Sequence, residues 1–159
     1  MIIESKLTKK DYQKLLLLLT YRKPLMIVIV LIGLLSLILS VLFFLGVSVS
    51  FDKPPYFQMI FGFFVVIAMP IIVFRGASKT FKSNLRMQEK MVYEFNQDRI
   101  TITGESFNTE MDWEKVHKIQ ELRNWILIYQ SNQVANILKK GSIADNIDEF
   151  RDLIKKTKP

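Results

Sequence analysis

The sequence contains no cysteine and a single histidine, His117. Without cysteine the chain can form no disulfide, offer no thiolate to a metal ion and use no cysteine nucleophile. One imidazole leaves most histidine-based metal sites short of ligands. The composition therefore predicts no cofactor and no bound metal, and it argues against a metalloenzyme.

Charged side chains are missing from two long apolar segments, residues 25–49 and 57–74. At 1.5 Å per residue, helices of these lengths reach roughly 37 Å and roughly 27 Å, enough to span a bilayer. The first segment is too long and starts too far along the chain for a cleaved signal peptide. Because the connection SFDKPPY holds two prolines, which end helices, we predict an antiparallel two-helix transmembrane hairpin, residues 24–74.

The small and polar residues inside these segments predict helix packing. Gly33, Ser36 and Ser40 share one face of the first helix, and Gly62 is their counterpart in the second. The same face of small residues also permits a homodimer. Pro70 removes an amide donor and predicts a kink. Ion and proton paths need ionisable groups at membrane depth, and both segments lack them, so a transporter is disfavoured.

The distribution of charge predicts the orientation. Residues 1–23 carry six basic and two acidic side chains, residues 75–90 carry five and one, and residues 91–159 carry ten and eleven. By the positive-inside rule both termini are cytoplasmic. The low Ala and high Lys, Ile, Asn and Phe content is typical of some bacteria, so we expect a multi-pass protein of the bacterial inner membrane. The balanced charge of residues 91–159 predicts no nucleic-acid partner.

The basic flanks predict contact with membrane lipids. Residues 1–23 form an amphipathic basic helix with Thr8 at its N-cap, which lies in the membrane interface or packs on the cytosolic domain. Residues 75–90 continue the second spanning helix as a basic stalk. One face of this stalk carries the residues that we expect to contact anionic lipid headgroups, namely Arg75, Lys79, Lys82 and Arg86.

The remaining residues, 91–159, have the pattern of a small cytosolic α+β domain. Alternating apolar residues and turn residues predict about five antiparallel strands in two hairpins and one further strand. A closing helix capped by Asp145 then presents Ile147, Phe150 and Ile154 inward.

The stretch EMDWEKVHKIQEL, residues 110–122, combines acids with His117. Met111 and Trp113 point to one side of a strand, and Val116 continues the apolar side into a turn or short helix. The acids and His117 then face outward, and no nucleophile motif or phosphate loop accompanies them. We therefore expect no catalytic residues, and paired-acid hydrolysis by Asp112 and Glu114 is the enzymatic alternative.

Several of these patterns together resemble the YcxB-like family of bacterial membrane proteins. They are YEFNQDRITI, MDWEKVHKIQEL, ANILKK and FRDLI, all after a helical hairpin. The family often has Pro-Lys after the last strand, where this chain has Lys139 and Lys140. The resemblance implies a small sheet closed by a helix, similar to bacterial pleckstrin-homology domains, and no enzymatic activity.

Two functions follow as expectations. The first is a non-enzymatic inner-membrane protein whose cytosolic domain binds an unknown protein partner or lipid at the membrane surface. The second is self-immunity, in which the protein protects its host from a membrane-active bacteriocin or toxin.

Overall fold

A computed structural model describes residues 1–47 and 51–157. The last two residues of the first predicted apolar segment, 48 and 49, lie outside the described residues. The chain forms two compact units, one of residues 10–80 and one that combines residues 1–9 with the chain from Phe81 onward.

The first unit is helical. Its elements are α1 (Lys9–Tyr21), α2 (Pro24–Phe44), α3 (Tyr56–Phe63), a π-helical turn (Phe64–Ala68) and α4 (Met69–Ser83), of which the first residue of α1 and the last three residues of α4 belong to the second unit. Among the described residues, two helices are long and apolar enough to cross a membrane: α2, and the continuous helix Tyr56–Ser83, with mean hydropathies of 3.2 and 2.5. Only 11% of each apolar window is buried within the protein, so most apolar side chains of these helices point outward.

The two long helices pack through small residues. Gly33 in α2 and Gly62 in α3 are both buried, and a Cβ added to Gly33 would lie 2.9 Å from the Cβ of Val65. The hydroxyl of Ser40, fully buried, donates to the carbonyl oxygen of Ser36 at 2.7 Å. Because this face is covered by the second helix, a homodimer through it would have to replace the packing within the chain.

A π-helical turn lies next to Pro70, where the sequence predicts a kink. The amide of Met69 bonds to the carbonyl of Phe64, five residues back, which defines the wide turn Phe64–Ala68. Pro70 has no amide hydrogen to give to the carbonyl four residues back. A π turn next to this missing donor is a common way for a helix to absorb such a break.

The second unit is an α+β domain with seven strands within the described residues. The sheet A order is β1 (Ile2–Lys6), β2 (Lys90–Phe95), β3 (Arg99–Thr103) and β4 (Asn108–Asp112), and the sheet B order is β5 (Lys118–Glu121), β6 (Trp125–Tyr129) and β7 (Ala135–Lys139). All neighbouring strands are antiparallel. The two sheets meet where the amide of Lys139 donates to the hydroxyl of Ser5 at 3.2 Å and the hydroxyl of Tyr93 donates to the carbonyl of Ile137 at 3.0 Å.

Two of the seven strands correct the sequence prediction. Residues 2–6, expected as part of a helical N-terminal segment, form β1, with Ile3 and Ser5 buried and their neighbours exposed. The segment after Trp113, expected as a turn or short helix, is a single 3-10 turn (Trp113–Lys115) followed by β5. Both strands are short, and β1 pairs with a strand more than eighty residues away in the chain. Local sequence patterns therefore did not predict them.

One hydrophobic core lies beneath α5 (Ile147–Thr157) and between the sheets. The predicted inward stripe of this helix is confirmed, since Phe150 is 1% exposed and its ring meets that of Phe95 at 5.0 Å, with Ile147 and Ile154 packed beside it. The predicted cap is wrong. Asp145 lies inside the preceding 3-10 helix, Lys140–Asn146, and α5 begins at Ile147.

Candidate functional site

An open cleft of about 1230 Å³ lies at one end of the α+β domain. The turn between β2 and β3 forms one wall, the start of the 3-10 turn after β4 forms the second, and the exposed side of α5 forms the third. The cleft is therefore built from three elements that are far apart in the sequence.

Acidic side chains dominate the rim of this cleft. It is lined by five carboxylates, Asp98, Asp112, Glu114, Glu149 and Asp152. Two of the five have basic partners: Asp112 accepts from Lys115 at 2.7 Å, and Asp152 pairs with Lys155 at 3.4 Å. The hydrogen bond and charge of Lys115 lower the pKa of Asp112. In the described part of the chain, the other three form no ion pair.

The floor of the cleft is apolar and held in place by hydrogen bonds. Phe95 and Trp113 lie there with Leu153, and the first two rings stack with their centroids 6.3 Å apart. The indole of Trp113 donates to the carbonyl of Asn96 at 2.8 Å, and its amide donates to the carbonyl of Asp98 at 3.3 Å. These two bonds fasten the 3-10 turn to the β2–β3 turn, so the aromatic floor and the acidic rim are fixed relative to each other.

The sequence prediction for EMDWEKVHKIQEL agrees with this geometry. Trp113 and Val116 are buried, at 4% and 1% exposure, and Asp112, Glu114 and His117 are exposed. His117 does not line the cleft. Within residues 1–47 and 51–157, no three His, Asp or Glu side chains are grouped so that they could hold a metal ion.

The four residues expected to contact lipid headgroups do not share one helix. Arg75, Lys79 and Lys82 are exposed on α4, which ends at Ser83. The predicted helical stalk to residue 90 is therefore too long. Arg86 lies in a separate 3-10 turn, Leu85–Gln88, where its guanidinium stands 5.3 Å from the ring centre of Phe107.

Sequence reasoning also missed how the chain joins the end of α4 to the domain. The side-chain amide of Gln88 donates to the carbonyls of Phe81 at 3.1 Å and Lys82 at 3.2 Å, which gives partners to two of the last carbonyls of α4. The carboxylate of Glu89 accepts from the amide and the hydroxyl of Ser106 at 2.9 and 2.6 Å. These bonds lower the pKa of Glu89 and attach the β3–β4 turn to the connecting segment.

A second charged cluster anchors α5 to sheet B. Glu121, at the end of β5, accepts from Arg151 of α5 at 2.7 Å and pairs with Lys140. The hydrogen bonds from Arg151 and Lys140 lower the pKa of Glu121 to about 2. No sequence pattern signals this cluster, because its members come from three separate elements.

Comparison with known proteins supports the resemblance over the domain. Residues 95–154 match the family model described as YcxB-like protein. This range runs from the last residue of β2 into α5, so it includes most of the residues that line the cleft. No curated protein and no solved structure matches the chain significantly.

Proposed function

We propose that this chain, YcxB-like over residues 95–154, is a non-enzymatic bacterial inner-membrane protein. In this role it presents a cytosolic interaction domain at the membrane surface. Both termini are cytoplasmic and the long helices cross the bilayer as a hairpin.

The observation that carries the proposal is the pairing of β1 with β2. Ile2 to Lys6 pair residue by residue with Glu94 to Lys90, and both apolar helices lie in the chain between these two strands. Strands of one sheet lie on one side of a membrane. A chain that leaves β1, enters the bilayer and returns to β2 has therefore crossed an even number of times, which fits a two-helix hairpin.

The exposed apolar side chains of the two long helices support the proposal that these helices lie in a lipid bilayer. Leu25, Leu31 and Leu35 of α2 are 70%, 60% and 56% exposed, and Phe57 and Ile60 of α3 are 78% and 65% exposed. In water each such side chain would cost roughly 1.5 to 3 kcal/mol relative to burial, and a hydrocarbon environment removes this cost. The basic side chains on both flanks favour the cytoplasmic side for the domain.

The form of the domain supports an interaction role. A four-stranded and a three-stranded antiparallel sheet followed by a C-terminal helix is the arrangement expected of a pleckstrin-homology-like domain, and we propose that the domain is of this type. Its membrane hairpin is inserted between the first two strands. The cleft beside α5 is then the surface offered to a partner.

Single cysteines test this topology, because the chain has none of its own. Lys53→Cys, in the connection between the helices, should react in intact cells with a thiol reagent that does not cross membranes. Lys6→Cys and Ser142→Cys, both exposed in the domain, should react only after the cells are opened. Labelling of Ser142→Cys in intact cells, or different labelling of Lys6→Cys and Ser142→Cys, would contradict the proposed function.

A further inference from the structure

We propose that α1 lies in the plane of the membrane at the cytoplasmic end of the helical hairpin. There it binds anionic phospholipid headgroups through Lys10, Lys14 and Arg22. The inference rests on the proposed function, because it takes the two long helices to cross the bilayer, and it adds a lipid-binding surface on the helix that precedes them.

The packing of the two long helices shows which of their residues lie at the same level. A Cβ on Gly33 of α2 would stand 2.9 Å from Val65 of the second helix, and a Cβ on Gly62 would stand 2.5 Å from the carbonyl oxygen of Gly33. The helices run antiparallel. About nine residues from this contact, or about 14 Å at 1.5 Å per residue, lead to Pro24 in α2 and to Phe74 or the residues just before it in the second helix. Pro24 and Phe74 are therefore level, and each lies where an apolar segment meets basic residues.

Both ends of α1 are close to this level. Its last residue, Tyr21, is three residues before Pro24. Near its start, the side-chain amide of Gln13 donates to the carbonyl oxygen of Phe74 at 3.4 Å. Gln13 and Tyr21 are about 12 Å apart along the helix axis, so an α1 parallel to the hairpin would hold Gln13 far from Phe74 in either direction. α1 therefore runs across the end of the hairpin. All of these residues belong to the helical unit, residues 10–80.

The two sides of α1 differ in what they offer to a lipid surface. One side is buried within the protein, and it holds Tyr12, Gln13 and Leu15. The apolar stripe of the helix is therefore covered by protein and does not meet acyl chains. Lys10, Lys14 and Leu18 follow one another at four-residue spacing on the other side, and all three are exposed, Leu18 at 40%. Arg22, also exposed, continues this row just after the helix.

The charge of the exposed side selects an anionic partner. α1 and the two residues after it carry five basic side chains and a single acidic one, Asp11, which is partly buried. Each basic residue held near an anionic leaflet adds to its attraction for the protein. Lysine and arginine can rest their methylene stems on the lipid surface while their charged ends reach the phosphates. A row of cations parallel to the membrane plane fits anionic headgroups.

Spin labels on single cysteines test the orientation of α1. The protein is reconstituted in vesicles of phosphatidylcholine and phosphatidylglycerol, and electron paramagnetic resonance compares collisions of each nitroxide with oxygen and with a water-soluble nickel chelate. Lys10→Cys and Leu18→Cys lie about 12 Å apart along the helix, and we expect both labels at the depth of the headgroups. Leu31→Cys, at a position 60% exposed in α2, is the reference for the hydrocarbon interior.

Charge variants test the choice of lipid. Native mass spectrometry of protein released from nanodiscs of mixed phosphatidylglycerol and phosphatidylcholine measures the enrichment of the anionic lipid. Lys10→Gln with Lys14→Gln should lower this enrichment by up to about thirtyfold, which corresponds to roughly 1 kcal/mol for each charge. Lys10→Arg with Lys14→Arg keeps both charges and should match the wild type. Circular dichroism checks that both double variants are folded.

Three results would overturn the inference. A difference of about 12 Å in depth between the two α1 labels would show a helix perpendicular to the membrane. Free access of both labels to the nickel chelate, with little access to oxygen, would place α1 in bulk water. Equal enrichment of phosphatidylglycerol by the Gln variant and the wild type would show that this side of α1 binds no anionic lipid. None of these results alters the thiol labelling of Lys53→Cys, so a failure here is distinguishable from a failure of the proposed topology.

Discussion

Gly62 lies so close to Gly33 that a Cβ on Gly62 would stand 2.5 Å from the carbonyl oxygen of Gly33 and 2.6 Å from the Cγ of Leu37. The backbone of α2 cannot move away without separating the two helices. The absence of a side chain at Gly62 is therefore what allows this approach.

Gly62→Ala should destabilise the helical hairpin. The added methyl group meets backbone at less than contact distance, so the helices must shift, at a cost of about 1 to 3 kcal/mol. Thermal unfolding in detergent micelles, followed by circular dichroism, should show a lower midpoint.

Gly76→Ala is the matched control, because this helical glycine has no neighbour within 4 Å of an added Cβ. It should leave the midpoint unchanged or raise it, since Ala favours helix over Gly. Equal effects of the two substitutions would show that the close approach is absent.

Ile3→Ala should destabilise the α+β domain even though β1 is separated from it in sequence by the hairpin. Ile3 is 3% exposed and belongs to the core, so its truncation should cost about 2 to 5 kcal/mol. Ile2 is adjacent on the same strand but 66% exposed, and Ile2→Ala should change stability by less than about 0.5 kcal/mol. Urea unfolding followed by the fluorescence of Trp113 and Trp125 measures both. A silent Ile3→Ala would mean that β1 is not part of the sheet.

The contrast between β1 and the second hairpin shows what local sequence can predict. Residues 125–129 and 135–139 carry strand residues on both sides of a polar turn, so their pairing is local and was predicted. The partner of β1 begins at residue 90, and no local pattern connects Ile3 with Tyr93. Short strands that pair over long distances are recognised only once the fold is known.

The candidate cleft was predictable in its parts and not as a whole. Alternation in EMDWEKVHKIQEL correctly predicted a buried Trp113 with Asp112 and Glu114 exposed. Their association with Asp98 and Glu149 depends on how α5 is placed, which is a tertiary property. The same reason explains Arg86: every-fourth spacing predicted a shared helical face, but the helix ends at Ser83.

The stability of the domain should fall in acid because of Glu121. Its pKa is about 2 in the folded domain against a usual 4.5, so the unfolded chain takes up a proton first as the pH falls. The stabilisation is fully present above about pH 4.5 and is lost between about pH 4.5 and 2. Its size is on the order of 1 kcal/mol, since the side chain is 35% exposed and solvent screens the pair.

Glu121→Gln tests this contribution. The urea midpoint of the variant should lie below that of the wild type at pH 7, and the difference should shrink as the pH approaches 2. The exposed Glu105→Gln is the control and should follow the wild type throughout. A difference between Glu121→Gln and wild type that stays constant with pH would show that the loss comes from packing and not from the charge of Glu121.

The four basic residues near the end of the second long helix and just after it should divide into two groups with different effects. Arg75, Lys79 and Lys82 are exposed on α4, and replacing all three by Gln should weaken the retention of phosphatidylglycerol. The loss is bounded by roughly 3 kcal/mol, at about 1 kcal/mol for each basic residue near an anionic surface.

Arg86 stands over the ring of Phe107 instead, so Arg86→Gln should leave lipid retention unchanged and lower the stability of the domain by about 0.5 to 1 kcal/mol. Native mass spectrometry of protein released from nanodiscs of mixed phosphatidylglycerol and phosphatidylcholine counts the retained lipids, and urea unfolding measures the stability. If Arg86→Gln removed as much phosphatidylglycerol as the triple variant, all four residues would act as one lipid-binding face despite the end of the helix at Ser83.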